Sequence, residues 1–345
     1  RGLGDVYKRQ ILKTKIHMNK PFEFALKASR KIYSHIFSNQ QLSPKGIEDP
    51  EEASRVIYEL LSNNQPCMIA RFGSTELNAI SNYKGIKEYK NNIIGFIKGT
   101  SPQWWWNSKG LEEIFSCSGF FPATIENVSK FSEMMIEIMP LVDILGTWRP
   151  QELFFQKELR NSQFIALRLL EPFWSKQPWT KALENKKILV IHPFAEAISK
   201  QYNQREVLFN NPTMLPQFKD FHVIKAVQSL GGDDKRFSDW FEALDWMKNE
   251  MDKIDYEICL IGCGAYGFPL AAYAKKQGKK AIHLGGSLQL LFGIKGKRWE
   301  DPNYGVKEWG IPYGSYSSLM NKYWIRPGKE GQSKNAMQVE GGCYW

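Results

Sequence analysis

Apolar residues recur at helical spacing over 21–38 and again over 49–63, where Asp49 can cap, Pro50 fits the first turn, and Glu51 and Glu52 suit the positive end of the dipole. The pattern then changes. Pro66 to Gly73 reads as a short strand ended by glycine, and Ser74, Thr75 and Glu76 open a helix with Leu77 and Ile80 on its buried side. Residues 85–120 are irregular. Within them, Trp104, Trp105 and Trp106 cannot share one face of a helix, because neighbours differ by about 100°. At least one is expected to point away from the core, toward a cleft or partner. A helix over about 124–140 precedes the strand-like Val142–Thr147, and Phe164–Leu170 is strand-like but ambiguous.

The second half is more regular. Lys187–His192, Phe221–Ala226, Tyr256–Ile261 and Ala281–Leu284 read as buried strands, with helices after Pro193, over 237–253 and up to about Lys276. This alternation predicts an α/β chain: a Rossmann-like, doubly wound, mostly parallel sheet with N-terminal helices. It divides into a leader (1–17), a helical segment (18–64), a core (65–325) and a tail (326–345) expected to pack on the core.

Charge changes the picture little. Of the formal net charge of +10, a net of +4 sits in residues 1–17, which lack periodicity and precede Met18. That stretch reads as a non-native or disordered leader. The remaining charge suits anionic ligands and leaves association with a membrane surface open. No basic stripe with interleaved aromatics argues for nucleic acid. The 5 cysteines are scattered without a CxxC pair, so reduced thiols in a cytoplasmic protein are expected rather than a disulfide framework or zinc site. The apolar run Ile258–Ala274 contains three glycines and Pro269, so it reads as strand, turn and helix, and no transmembrane segment is expected.

Candidate chemistry lies in four turns that follow strands, where open α/β sheets bind ligands. Gly262, Gly264 and Gly267 have GxGxxG spacing, which allows close backbone approach to phosphate at a helix N-terminus. Packing of helix on sheet also explains such glycines. No acid follows Leu284 until Glu300, against the ribose contact of a dinucleotide. Arg71, Gly73, Ser74 and Glu76 bring a cation and a carboxylate to one strand end; a helix cap explains the same residues. His192 and Glu196 offer an imidazole and a second carboxylate. Gly285 and Gly286 permit close backbone approach to a ligand.

Two segments resemble the GT-D-type glycosyltransferases, bacterial enzymes with a Rossmann-like fold. Met68–Ala79 is similar to that family's Arg-Phe-Gly-Asp-Gly-Glu motif, with Ser74 in place of the first acid and Glu76 matching the second. Ile258–Gly285 resembles its late strand, glycine turn, helix and strand. The resemblance implies polysaccharide biosynthesis, with sugar transfer from a nucleotide-sugar donor to a glycan or other hydroxyl acceptor. It also implies a divalent cation (Mn2+ or Mg2+) at Glu76. On this reading Arg71 meets the donor diphosphate, Gly73 and Ser74 lie beside it, and Gly262, Gly264, Gly267, Gly285 and Gly286 admit the nucleotide or sugar. Glu76, His192 and Glu196 are the candidate catalytic groups, the last two as general bases, and the Trp104–Trp106 region faces the acceptor. A non-catalytic nucleotide- or sugar-binding protein and a dinucleotide-dependent oxidoreductase are the alternatives.

Overall fold

The computed structural model describes residues 18–37, 44–229, 234–328 and 342–345. The leader 1–17 and most of the tail lie outside these residues. Seven parallel strands form one sheet: β1 (Cys67–Ala70), β2 (Ile144–Thr147), β3 (Gln163–Ala166), β4 (Lys187–His192), β5 (Asp220–Lys225), β6 (Ile258–Ile261) and β7 (Lys280–His283). Their order is β3-β2-β1-β7-β6-β4-β5, and every pairing is parallel. The fold is a Rossmann-like, doubly wound α/β sheet.

Successive side chains of a strand point to opposite faces, and the central strands are apolar in both directions. Met68, Leu189, Cys259 and Ala281 enter one core, whereas Ile69, Val190, Leu260 and Ile282 enter the other. Helices α3 (Ser74–Glu88), α5 (Ser108–Ser118), α6 (Ile125–Ile138), α8 (Trp240–Asp252) and α9 (Gly267–Lys276) cover the first face. Helices α2 (Pro50–Ser62) and α7 (Ala195–Tyr202) cover the second, with the segment from Leu288 to Trp324. Ala53, Ile57 and Leu61 of α2 are buried against the sheet, so this helix belongs physically to the core. Asp49 caps it as the sequence suggests, accepting the Glu52 N–H at 2.8 Å.

The irregular stretch 85–120 contains two helices, α4 (Ile93–Lys98) and α5, that periodicity did not show. Both end on glycine in the left-handed conformation, Gly99 and Gly119. Helix α1 (Lys20–Ile36) packs on α4 through Leu26 and Phe96.

All three consecutive tryptophans are buried, which corrects the expectation of an outward-facing ring. Their segment is not helical, so neighbours can face opposite sides. Trp106 joins the core beneath α3, while Trp104 and Trp105 pack edge to face, ring centres 5.0 Å apart, with Phe96 and Leu26. Asn82 pins this segment, its Nδ2 donating to the carbonyls of Gln103 (3.0 Å) and Trp105 (2.7 Å).

That docking requires Gly85, since a Cβ there would run into the Gln103 carbonyl. Helix propensity alone favours alanine over glycine by about 1 kcal/mol. Gly85→Ala is nevertheless expected to destabilise by roughly 1–3 kcal/mol, because rigid backbone rather than a flexible side chain must yield. Denaturant unfolding checks this, and a stabilised variant would refute the packing argument.

Candidate functional site

Chain exits alternate at the carboxyl edge of the sheet. The chain leaves β1 and β6 toward the face of α3 and α9, but leaves β7 and β4 toward the face of Leu288–Leu291 and α7. Neighbouring connections diverge, and a crevice opens between them. It is a cleft of about 510 Å3, a size that suits a small ligand.

The turn after β1 supplies Arg71, Gly73, Ser74, Thr75 and Glu76. Gly73 is the N-cap of α3 and offers no side-chain cap, while the Glu76 carboxylate folds back beside it, so the positive end of the helix dipole and one acid share this edge of the cleft. Desolvation lowers the pKa of Arg71, partly offset by the charges of Glu76 and Glu152. Its guanidinium forms no salt bridge or hydrogen bond with any described residue. It lies over the Trp148 ring at 5.4 Å, and Arg149 lies over the same ring at 5.1 Å. Trp148 is fixed by its Nε1–H, which donates to the Phe72 carbonyl at 3.1 Å. Two cations thus share one indole.

Glu152 sits just outside the cleft wall. It accepts hydrogen bonds from the Thr147 hydroxyl and the N–H groups of Trp148 and Arg149. Burial outweighs these bonds and raises its pKa to about 7.

The turns after β4, β6 and β7 meet closely. A Cβ on Gly262 would lie 2.6 Å from the Gly285 carbonyl oxygen and 2.7 Å from the His192 ring. Gly264 and Gly285 take φ of +58° and +67°, which side chains resist. Gly286 faces the Tyr344 ring. All four glycines line the cleft. Gly267 does not. It opens α9 against the His283 ring, where a Cβ would collide, so the third glycine serves packing.

His192 and His283 both line the cleft, and burial lowers each pKa to about 3, with Arg71 adding to the effect at His283. His192 Nδ1 accepts the Phe194 N–H at 3.0 Å, which places the ring proton on Nε2. His192 is therefore a neutral donor, and the expectation of a general base is corrected. Glu196 is also corrected: it stands outside the cleft, paired with Lys225 at 2.8 Å. The tryptophan triplet does not line the cleft either.

Sequence reasoning missed several cleft residues. Trp148 and Arg149 directly follow β2, so the strand-end rule already pointed to them. Arg298, Gln289, Tyr344 and Trp345 carry no comparable signal, because distant chain brings them in. Gln289 Nε2 donates to the carbonyls of Ile294 (3.3 Å), Lys295 (2.9 Å) and Tyr344 (3.2 Å). Three acceptors fix the amide orientation and leave its buried Oε1 without a partner. Trp345 Nε1 and Arg149 Nε are also buried and unpartnered. Such groups normally find partners, and all three belong to residues lining one cleft. Arg298 anchors the closing segment: its N–H donates to the Cys343 carbonyl at 3.1 Å, and its guanidinium lies 5.1 Å from the Tyr344 ring centre.

A divalent cation does not fit these side chains. No group of three or more His, Cys, Asp or Glu among the described residues could hold a metal. Glu76 Oε2 already accepts the Thr75 hydroxyl at 2.8 Å, and the neighbouring position is Ser74. No family model, curated protein or solved structure matches the chain.

The buried titratable groups make opposing pH demands. Glu152, raised from 4.5 to about 7, binds its proton more tightly in the folded state. Its contribution is present below pH 4.5 and lost as pH rises through 7. His192, lowered from 6.5 to about 3, contributes above pH 6.5 and loses that as pH falls toward 3. Between about pH 5 and 6, unfolding free energy in Glu152→Gln should rise relative to wild type by about 1.4 kcal/mol per pH unit, whereas in His192→Gln it should fall by a similar slope. Denaturant titrations across that range check both signs.

Proposed function

We propose that the chain is a glycosyltransferase whose cleft holds the diphosphate of a nucleotide-sugar donor without a protein-bound metal. The observation that carries this reading is Arg71. It is a desolvated cation with no salt-bridge partner among the described residues, and it stands at the N-terminus of α3, whose N-cap is a glycine, in a cleft of nucleotide size. An anion placed there gains charge-assisted hydrogen bonds from the guanidinium and from backbone N–H groups. Arg149 adds a second cation against the same Trp148 ring. The missing acid at Ser74 fits this arrangement, since the arginines take over the charge balance that the GT-D motif assigns to a metal. Gln289 Oε1 and Trp345 Nε1 supply an unfilled acceptor and donor for the nucleoside or sugar.

In the transfer, the acceptor oxygen bonds to the anomeric carbon while the bond from that carbon to the diphosphate oxygen breaks. The nucleoside diphosphate leaves with the electron pair, its charge held by Arg71 and Arg149. The acceptor proton passes to Glu76, the buried carboxylate lining the cleft. Neutral His192 donates from Nε2 and orients the substrate. A donor-binding protein without turnover is the second reading, favoured by Ser74; binding without transfer would establish it.

Calorimetric titration with uridine diphosphate, uridine-diphosphate sugars and NAD tests the proposal, each with and without a chelator. Binding of the uridine ligands should survive chelation and exceed that of NAD. Arg71→Gln should weaken it by about 10- to 100-fold, the loss of a charge-assisted contact. Glu76→Gln should keep binding within a few-fold and abolish transfer. Exclusive binding of NAD, or unchanged affinity in Arg71→Gln, would overturn the assignment.

A further inference from the structure

Exposed apolar side chains are not spread evenly over this protein. Among the described residues, eleven large ones are exposed, and seven belong to two neighbouring segments. Phe22, Phe24, Ile32 and Ile36 lie on α1 and Phe37 follows it; Ile93 and Ile94 begin α4. Phe24 is 75% exposed, Ile94 68% and Ile36 67%. The interior side of α1 is narrow. Leu26 is its one buried residue, packed with Phe96, Trp104 and Trp105 in a small cluster apart from both main cores. At about 100° per residue, Phe22, Ile32 and Ile36 fall within about 80° of one another around the helix. Lys20, Lys27 and Lys31 group on the opposite side, where Phe24 also falls and where Lys27 pairs with Glu23 at 2.6 Å. This is the distribution of a helix that rests at an interface, with an apolar arc and a basic flank.

We propose that α1, with the start of α4 beside it, docks the protein on an anionic lipid surface. Charge selects this occupant. Helices α1 and α4 together carry five Lys or Arg against one Glu. A second copy meeting the same face would bring like charges together, whereas an anionic bilayer attracts them. The helix would lie in the interfacial plane, since no helix among the described residues is long and apolar enough to cross a membrane. The apolar arc would enter the headgroup boundary while the lysines reach outward to lipid phosphates. This surface is separate from the cleft and stands independently of the transferase reading.

Vesicle flotation of the full chain tests the proposal, with phosphatidylcholine alone and with about a third phosphatidylglycerol. Wild type should float with the anionic vesicles, far less with the neutral ones, and release as salt rises. Lys20→Glu with Lys31→Glu should lower the partition coefficient by at least about tenfold. Ile32→Asn with Ile36→Asn should also reduce flotation, and both variants should melt like wild type because the side chains are exposed. Failure of wild type to float with anionic vesicles would overturn the proposal. So would equal, salt-independent binding to neutral vesicles. A dimer in sedimentation that Ile32→Asn with Ile36→Asn dissolves would instead assign the face to a second copy, and would equally overturn it.

Discussion

The close approach of three turns at the carboxyl edge of the sheet sets the shape of everything around it. Gly262 lies so near the Gly285 carbonyl and the His192 ring that no side chain fits. This contact draws β4, β6 and β7 together at the ends from which their connections diverge. Backbone forms the floor, so the walls come from elsewhere: Arg71 and the first turn of α3, Trp148 and Arg149, and Tyr344 and Trp345. A bulkier floor would fill the crevice that the alternating exits create.

Electrostatics in the cleft follow from what the arginines pack against. Both Arg71 and Arg149 pack against one indole, that of Trp148. Its negative face eases the burial of the guanidinium groups without neutralising them. Two buried acids lie nearby: Glu152 is occupied by a hydroxyl and two backbone N–H groups, and its own desolvation favours the protonated form, whereas Glu76 lines the cleft and offsets part of the Arg71 charge. Three arginines against Glu76 and Glu113 line the cleft, so its charge is positive only on balance. The histidines add none to it, being held neutral by burial.

Much of this architecture was legible in the sequence because parallel strands buried on both faces read as short continuous apolar runs. Lys187–His192 and Ile258–Ile261 are plain examples. The glycine turns could be placed for the same reason. Between 85 and 120, however, α4 has only six residues, too few to establish a period, and non-helical backbone lets all three tryptophans turn inward. At the site, the sequence brought Arg71 and His192 to strand ends but could not tell a charged imidazole from one whose Nδ1 is engaged by a backbone N–H. Glu196 was misplaced because α7 carries it to a surface lysine. Gln289, Arg298 and Tyr344 meet only through tertiary packing, which no local pattern encodes.

The strand order has a consequence for how the molecule is made. β1, β2 and β3 form one half of the sheet, and β4, β5 and β6 form the other, yet the two halves share no direct pairing. They join only through β7, four residues long and last in sequence among the strands. During synthesis each half must wait with an unpaired edge, β1 on one and β6 on the other, until Lys280–His283 emerges and slots between them. Closure of the sheet is thus a late, long-range event, slow in the way that non-local parallel pairing is slow. Until then the nascent chain exposes two open, apolar strand edges, the kind that chaperones cover and other chains invade.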